Sequence, residues 1–159
     1  MKKLLTTSLI GFMTVYSLNA GDCIMVKDLN VQFKNDSTIY SDSSEIKEIQ
    51  EFTQFLKKTD LYAVIEGHTS ASAPAGYNYD LSTNRAAKVR NAIVNAGVNS
   101  NKVRYMGFGE SSPLYDNSTE EGSAKNRRVI AEVFNSAEEL NSYIEAEKAR
   151  IKTIKYKEQ

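Results

Sequence analysis

Four short polar signatures punctuate the stretch from Gly67 to Val129: Gly67-His68-Thr69, Asn78-x-x-Leu81-Ser82-x-x-Arg85-Ala86, Gly107-Phe108-Gly109-Glu110-x-x-Pro113 and Asn126-Arg127-Arg128-Val129. Between and around them the apolar residues are periodic. Residues 24–34 predict a first strand, with Leu29, Val31 and Phe33 alternating against Asn30, Gln32 and Lys34. Asp42 is placed as a helix N-cap with Glu45 at the capping-box position, and Ile46, Ile49, Phe52 and Leu56 follow at helical spacing. A second strand is expected over 61–67, with Leu61, Ala63 and Ile65 on one face and Tyr62 and Val64 on the other. Residues 70–76, small and polar, read as a loop. A helix then runs from Tyr79 to Ala96 and stops at Gly97. Residues 103–106 form a third strand, 116–125 a polar segment with a short helix, and 128–134 a fourth strand. Ser136, with Glu139 three residues on, opens a last helix that reaches Lys155. This order predicts a helical layer on one face of a small mixed sheet.

The ends carry separate messages. Lys2 and Lys3 precede the uncharged apolar run Leu4 to Leu18, and Leu18-Asn19-Ala20 supplies a cleavage point, so residues 1–20 read as a signal segment. The run falls short of the ~18 apolar residues of a spanning helix. Residues 21–135 then make one domain and 136–159 a charged C-terminal helix. Cys23 is the only cysteine, which excludes an internal disulfide. Ala20 and Asp22 before it depart from a lipoprotein pattern, so a free thiol is expected. The 20 basic and 20 acidic residues balance, which argues against a nucleic-acid face. In the last helix Glu138, Glu139, Glu145 and Glu147 come first and Lys148, Arg150, Lys152 and Lys155 last, as the helix macrodipole favours. Packing back onto the domain and docking a partner or a second copy are both open to it.

Arg85 is the most informative single position. Leu81 lies four residues before it and Val89 four after, so Arg85 stands near the apolar face of its helix. A guanidinium there needs acceptors, because an unpaired charge out of water is costly. A carboxylate of the protein and a carboxylate of a ligand both fit its planar fork.

Taken together, the four signatures resemble the OmpA C-terminal-like (OmpA/Pal/MotB) peptidoglycan-binding domain family, over residues 27–134. The resemblance implies an α+β two-layer sandwich of βαβαβ(α)β order, with a mixed four-stranded sheet and helices on one face; the C-terminal helix is an addition. It implies a periplasmic protein, associated with the outer membrane, that grips peptidoglycan non-covalently and tethers an envelope, outer-membrane or motor complex to the cell wall. In the family the arginine of the second signature binds a carboxylate of diaminopimelate in the stem peptide. That role passes to Arg85, with Thr69, Asn78 and Leu81 lining the same pocket and Arg128 helping to hold the ligand. From the residues alone, which of Arg127 and Arg128 points inward stays open, because strand register is unknown.

Ser70 departs from the pattern, standing where the family usually has aspartate. It keeps a hydroxyl and brings no charge, a difference of about tenfold in affinity. Asp80 is close enough in sequence to compensate, although a place near a helix start gives it a simpler role. The alternative is a family-fold interaction module with a weakened pocket, docking its partner through the C-terminal helix. Gly107 and Gly109 suit close packing beside the pocket, and Glu110 is a partner for an arginine. Catalysis is not expected, and neither is a metal or cofactor. His68 is the only histidine and Cys23 is far from it, so neither a metal cluster nor a thiol–imidazole pair can be assembled.

Overall fold

The computed structural model describes residues 15–18, 22–25 and 27–155. Of the expected signal segment only strand β1 (Val15–Leu18) is described; it pairs antiparallel with β2 (Asp22–Met25), which contains Cys23. The rest of that segment, and the residues after 155, lie outside the described residues. In chain order the domain then comprises β3 (Asn30–Gln32), α1 (Ser44–Thr59), β4 (Tyr62–Gly67), α2 (Ala75–Asn95), β5 (Val103–Gly107), α3 (Glu120–Asn126), β6 (Arg128–Phe134) and α4 (Ala137–Lys155). Its sheet has the spatial order β3-β6-β4-β5. β4 runs parallel to β5, and β6 is antiparallel to both of its neighbours.

The sheet is covered on both faces, which explains why β4 is buried along nearly its whole length. Ala63, Ile65, Val31, Val103 and Val129 point toward Ile49, Phe52 and Leu56 of α1 and Ala86, Val89 and Ile93 of α2. On the other face Val64, Met106 and Phe108 meet Leu140, Ile144 and Ile151 of α4. The expected layer of α1 and α2 is therefore present, and α4 adds a third. Of the two readings of the last helix, packing back is the one adopted.

Local differences from the sequence reading have identifiable causes. The expected 24–34 strand is divided: residues 22–25 pair with β1, and only Asn30–Gln32 join the main sheet. The N-cap of α1 is Ser43 rather than Asp42; the Asp42 carboxylate accepts the Ser44 N–H at 2.6 Å, and Glu45 does not close a capping box. Its carboxylate accepts from the Gln32 N–H at 2.9 Å and from the Ser41 hydroxyl, because the outer edge of β3 has a donor that would otherwise lack a partner. The second helix starts at Ala75 rather than Tyr79. Pro74 (φ −56°, ψ 142°) sets the chain's entry, and its carbonyl accepts the Asn78 N–H at 2.9 Å. At the other end Gly97 (φ +100°) turns the chain, as expected.

α2 lies unusually close to the sheet. A Cβ at Gly67 would collide with the Ser82 carbonyl, and one at Gly107 with the Thr83 side chain. These two glycines let the helix carrying Arg85 approach the strand ends, and that approach builds the site.

Candidate functional site

Where β4 ends, Thr69 and Ser70 leave the sheet beside the first turns of α2. That helix presents Tyr77, Asn78, Leu81 and Arg85, and the connection between β3 and α1 supplies Asn35 and Asp36. Arg127 enters just before β6. With Ser72, Ala73 and Pro74 these residues enclose a cavity of about 490 Å³.

Arg85 forms its floor and is fully enclosed, at 0% exposure. Three of its N–H groups reach backbone carbonyls: Nε to Ser37 at 2.8 Å, Nη2 to Lys34 at 3.0 Å and Nη1 to His68 at 3.4 Å. A guanidinium carries five N–H donors, so one remains on each Nη, the arrangement that a bidentate carboxylate meets. The Phe33 ring lies 5.2 Å from the guanidinium carbon. Among the described residues no carboxylate forms an ion pair with it. Burial, and then the nearby Arg127, lower the Arg85 pKa to about 10, which still leaves it charged at neutral pH. Two further polar atoms on the cavity wall are buried without a hydrogen-bond partner among the described residues, the Thr69 hydroxyl and Arg127 Nε.

Five of the six residues expected at the site are brought together: Thr69, Ser70, Asn78, Leu81 and Arg85. Arg128 is not among the cavity residues, and Arg127 is. Val129 faces α1 and α2, so alternation turns Arg128 to the opposite face, toward α4. There Arg128 donates to Asn126 Oδ1 at 3.3 Å and to the Ser112 carbonyl at 3.2 Å. Burial lowers its pKa to about 10. Asn78 is a strut as well as a wall: its amide nitrogen donates to the Ala73 carbonyl at 2.7 Å and to the Glu110 carboxylate. Glu110 thus takes an amide where an arginine was expected. The Ser70 hydroxyl lies 3.1 Å from that of Ser72, and Asp80 is exposed and does not line the cavity.

The sequence reading missed Asp36 and Tyr77. Asp36 has φ +47°, and the Tyr77 hydroxyl donates to its carboxylate. It is the one carboxylate among the described lining residues. The available signal was Asn35-Asp36, a pair suited to left-handed turns, inside a connection read only as polar.

The face beneath α4 holds a second polar group. Glu66 accepts from the Tyr143 hydroxyl at 2.7 Å, and its other oxygen lies 3.8 Å from His68 Nε2. Burial raises Glu66 to about 7 and lowers His68 to about 3, so this is a contact between neutral groups at mildly acidic pH. The His68 ring stacks on Phe108 at 5.1 Å, and among the described residues neither ring nitrogen has a hydrogen-bond partner.

Comparison with known proteins agrees with this fold. The profile of the OmpA family matches residues 32–127, more than half of the chain. Outer membrane porin F of Pseudomonas aeruginosa is 41% identical over 108 residues, which cover 66% of this chain and 30% of that protein. The peptidoglycan-binding protein ArfA of Mycobacterium bovis is 39% identical over 70 residues, 44% of this chain and 22% of that one. The matched stretch is therefore a minor part of both relatives. The crystal structure of the peptidoglycan-associated lipoprotein from Burkholderia pseudomallei superimposes with a TM-score of 0.63 at 27% identity, covering 67% of this chain and 90% of that one. Signatures, fold and profile converge, and the chain belongs to the OmpA family.

Proposed function

We propose that this chain binds peptidoglycan non-covalently in the periplasm and tethers an envelope or outer-membrane complex to the cell wall. The diaminopimelate-bearing stem peptide enters the cavity above Arg85. One observation carries this reading: a buried cation whose hydrogen bonds, among the described residues, go to neutral carbonyls, with one donor left on each terminal nitrogen. Such a charge is costly in isolation, and a ligand carboxylate relieves that cost with two parallel hydrogen bonds. Arg127 adds a second cation. Asp36, held by Tyr77, faces the same space with the charge that an ammonium requires. The diaminopimelate side chain ends in a carboxylate and an ammonium on one carbon, which suits this pairing. Two relatives named for peptidoglycan binding or association add support.

The cavity is intact and the apolar stripe of α4 is covered by the sheet, so partner docking through that stripe is the weaker reading. Sedimentation with purified sacculi tests the proposal. Wild type should co-sediment, and Arg85→Ala should weaken binding about a hundredfold through the loss of charge-assisted bonds. Arg85→Lys should not restore it, since a point charge cannot reproduce the planar fork. Arg127→Ala leaves the floor in place and should cost about tenfold. Wild type that stays in the supernatant would sink the reading, as would a folded Arg85→Ala that sediments normally.

A further inference from the structure

Residues 108–112 form a loop that touches both the cavity wall and α4. On its cavity side the Gly109 carbonyl accepts the Thr69 N–H at 2.9 Å, and the Gly109 N–H donates to Ser82 Oγ at 2.9 Å. The Glu110 carboxylate accepts the Asn78 amide. On its other side α4 grips the same loop. Arg150 Nη2 donates to Ser112 Oγ at 3.0 Å, and its guanidinium carbon lies 5.5 Å from the Phe108 ring. Glu147, one turn earlier on α4, holds the Arg150 Nε at 2.7 Å and so fixes its aim. Ile151 packs in the same apolar cluster as Phe108. Phe108 also carries the stacked His68 ring, and the His68 carbonyl is one of the three acceptors of Arg85.

No described residue of α4 lines the cavity. α4 also touches β4 through Tyr143 and Glu66 and α2 through Tyr79, and beside those contacts the loop offers two routes to the cavity. One runs from Ser112 through Gly109 and Glu110 to Thr69 and Asn78. The other runs from Phe108 through His68 to the back of Arg85.

We propose that Arg150 is a positioning residue for the ligand cavity: from α4 it clamps the 108–112 loop and thereby holds Thr69, Asn78 and the His68 carbonyl in binding geometry. The identity of the ligand rests on the peptidoglycan reading; the mechanical coupling does not. Coupling of this kind is reciprocal, so a ligand in the cavity tightens the seat of α4 by the factor that α4 contributes to ligand affinity.

The test uses the full chain as wild type, Arg150→Ala, Arg150→Lys and Ser112→Ala. Hydrogen exchange without ligand comes first. Arg150→Ala should speed exchange of the Thr69 and Gly109 amides about tenfold while leaving the central β4 amides of Val64 and Ile65 unchanged, the signature of local rather than global opening. Titration with a diaminopimelate-containing tripeptide follows. Arg150→Ala should bind about three- to tenfold more weakly at an unchanged melting temperature. Ser112→Ala should show the same loss in part. Arg150→Lys should recover part of the affinity, because it keeps a cation over Phe108 without the fork. Saturating tripeptide should slow exchange in residues 147–154 of wild type. Unchanged exchange at Thr69 and Gly109 in Arg150→Ala overturns the proposal, as does unchanged affinity when wild type binds. A wild type that ignores the tripeptide while the exchange effect persists removes the peptidoglycan reading and leaves the coupling standing.

Discussion

The charge pattern of the cavity turns on two residues far apart in the chain. Ser70 brings a hydroxyl to the wall without charge, and that hydroxyl is shared with Ser72. Asp36 brings the carboxylate, in a left-handed backbone conformation that Asp tolerates better than most residues, and Tyr77 fixes its orientation. If Asp36 receives the ligand ammonium, Asp36→Asn should weaken the diaminopimelate tripeptide about tenfold, the difference between a charged and a neutral hydrogen bond. Ser70→Asp should strengthen it by up to about tenfold on the same grounds. Calorimetric titration of both variants checks this. Equal affinities for Asp36→Asn and wild type would place ammonium recognition elsewhere.

At the scale of elements, the contact between α2 and the sheet decides whether a cavity exists. Thr69 and Ser70 meet Arg85 only because the helix backbone sits close to the ends of β4 and β5, over Gly67 and Gly107. Gly67→Ala should cost about 3 kcal/mol, since the new methyl strikes backbone rather than a movable side chain. Gly76, in the first turn of the same helix, has open space where a Cβ would stand, with nothing within 4 Å. Gly76→Ala should therefore stabilise by about 0.5–1 kcal/mol, the ordinary helix preference. Urea melts of the two variants give opposite signs if close approach is what Gly67 provides. The fourth helix contributes by contact as well: Leu140, Ile144 and Ile151 cover Val64 and Phe108, so the sheet face opposite the cavity is sealed.

At the scale of the whole molecule, that sealed face encloses titratable groups whose protons are linked to stability. Burial, opposed by the Tyr143 hydrogen bond and reinforced by Glu147, raises Glu66 to about 7 from 4.5. The folded chain holds this proton more tightly than the unfolded chain, so the Glu66 contribution is fully present below pH 4.5 and is lost as pH rises through about 7. His68 has the opposite sign. Burial, with Arg128 and Arg150, lowers it to about 3 from 6.5, so its contribution is present above pH 6.5 and falls away toward pH 3. Glu66→Gln keeps an acceptor for Tyr143 and removes the charge. It should exceed wild type in stability by about 2 kcal/mol at pH 8 and show no such gain at pH 4. Thermal or urea melts across that range decide it; parallel curves would mean that Glu66 ionises without penalty in the folded chain.

The order of strands and helices in the domain and the closure of α2 at Gly97 could be read from the residues, while the family, and the meeting of Thr69, Ser70, Asn78 and Leu81 around Arg85, came as what the resemblance of the signatures implies. These were legible because burial imposes periods of two and 3.6 residues on nearby positions, and because the signatures keep a fixed local spacing. The fold settles that Arg127 rather than Arg128 reaches the cavity, since facing depends on a register set against β3 and β4. It alone turned Glu45 from a cap into an acceptor for the edge of β3, brought Asp36 beside Arg85, and laid α4 across the second face of the sheet. Each of these outcomes depends on contacts between residues distant in the chain. They are selected by the free energy of one shared core, and no local period records which distant segment will fill a given face.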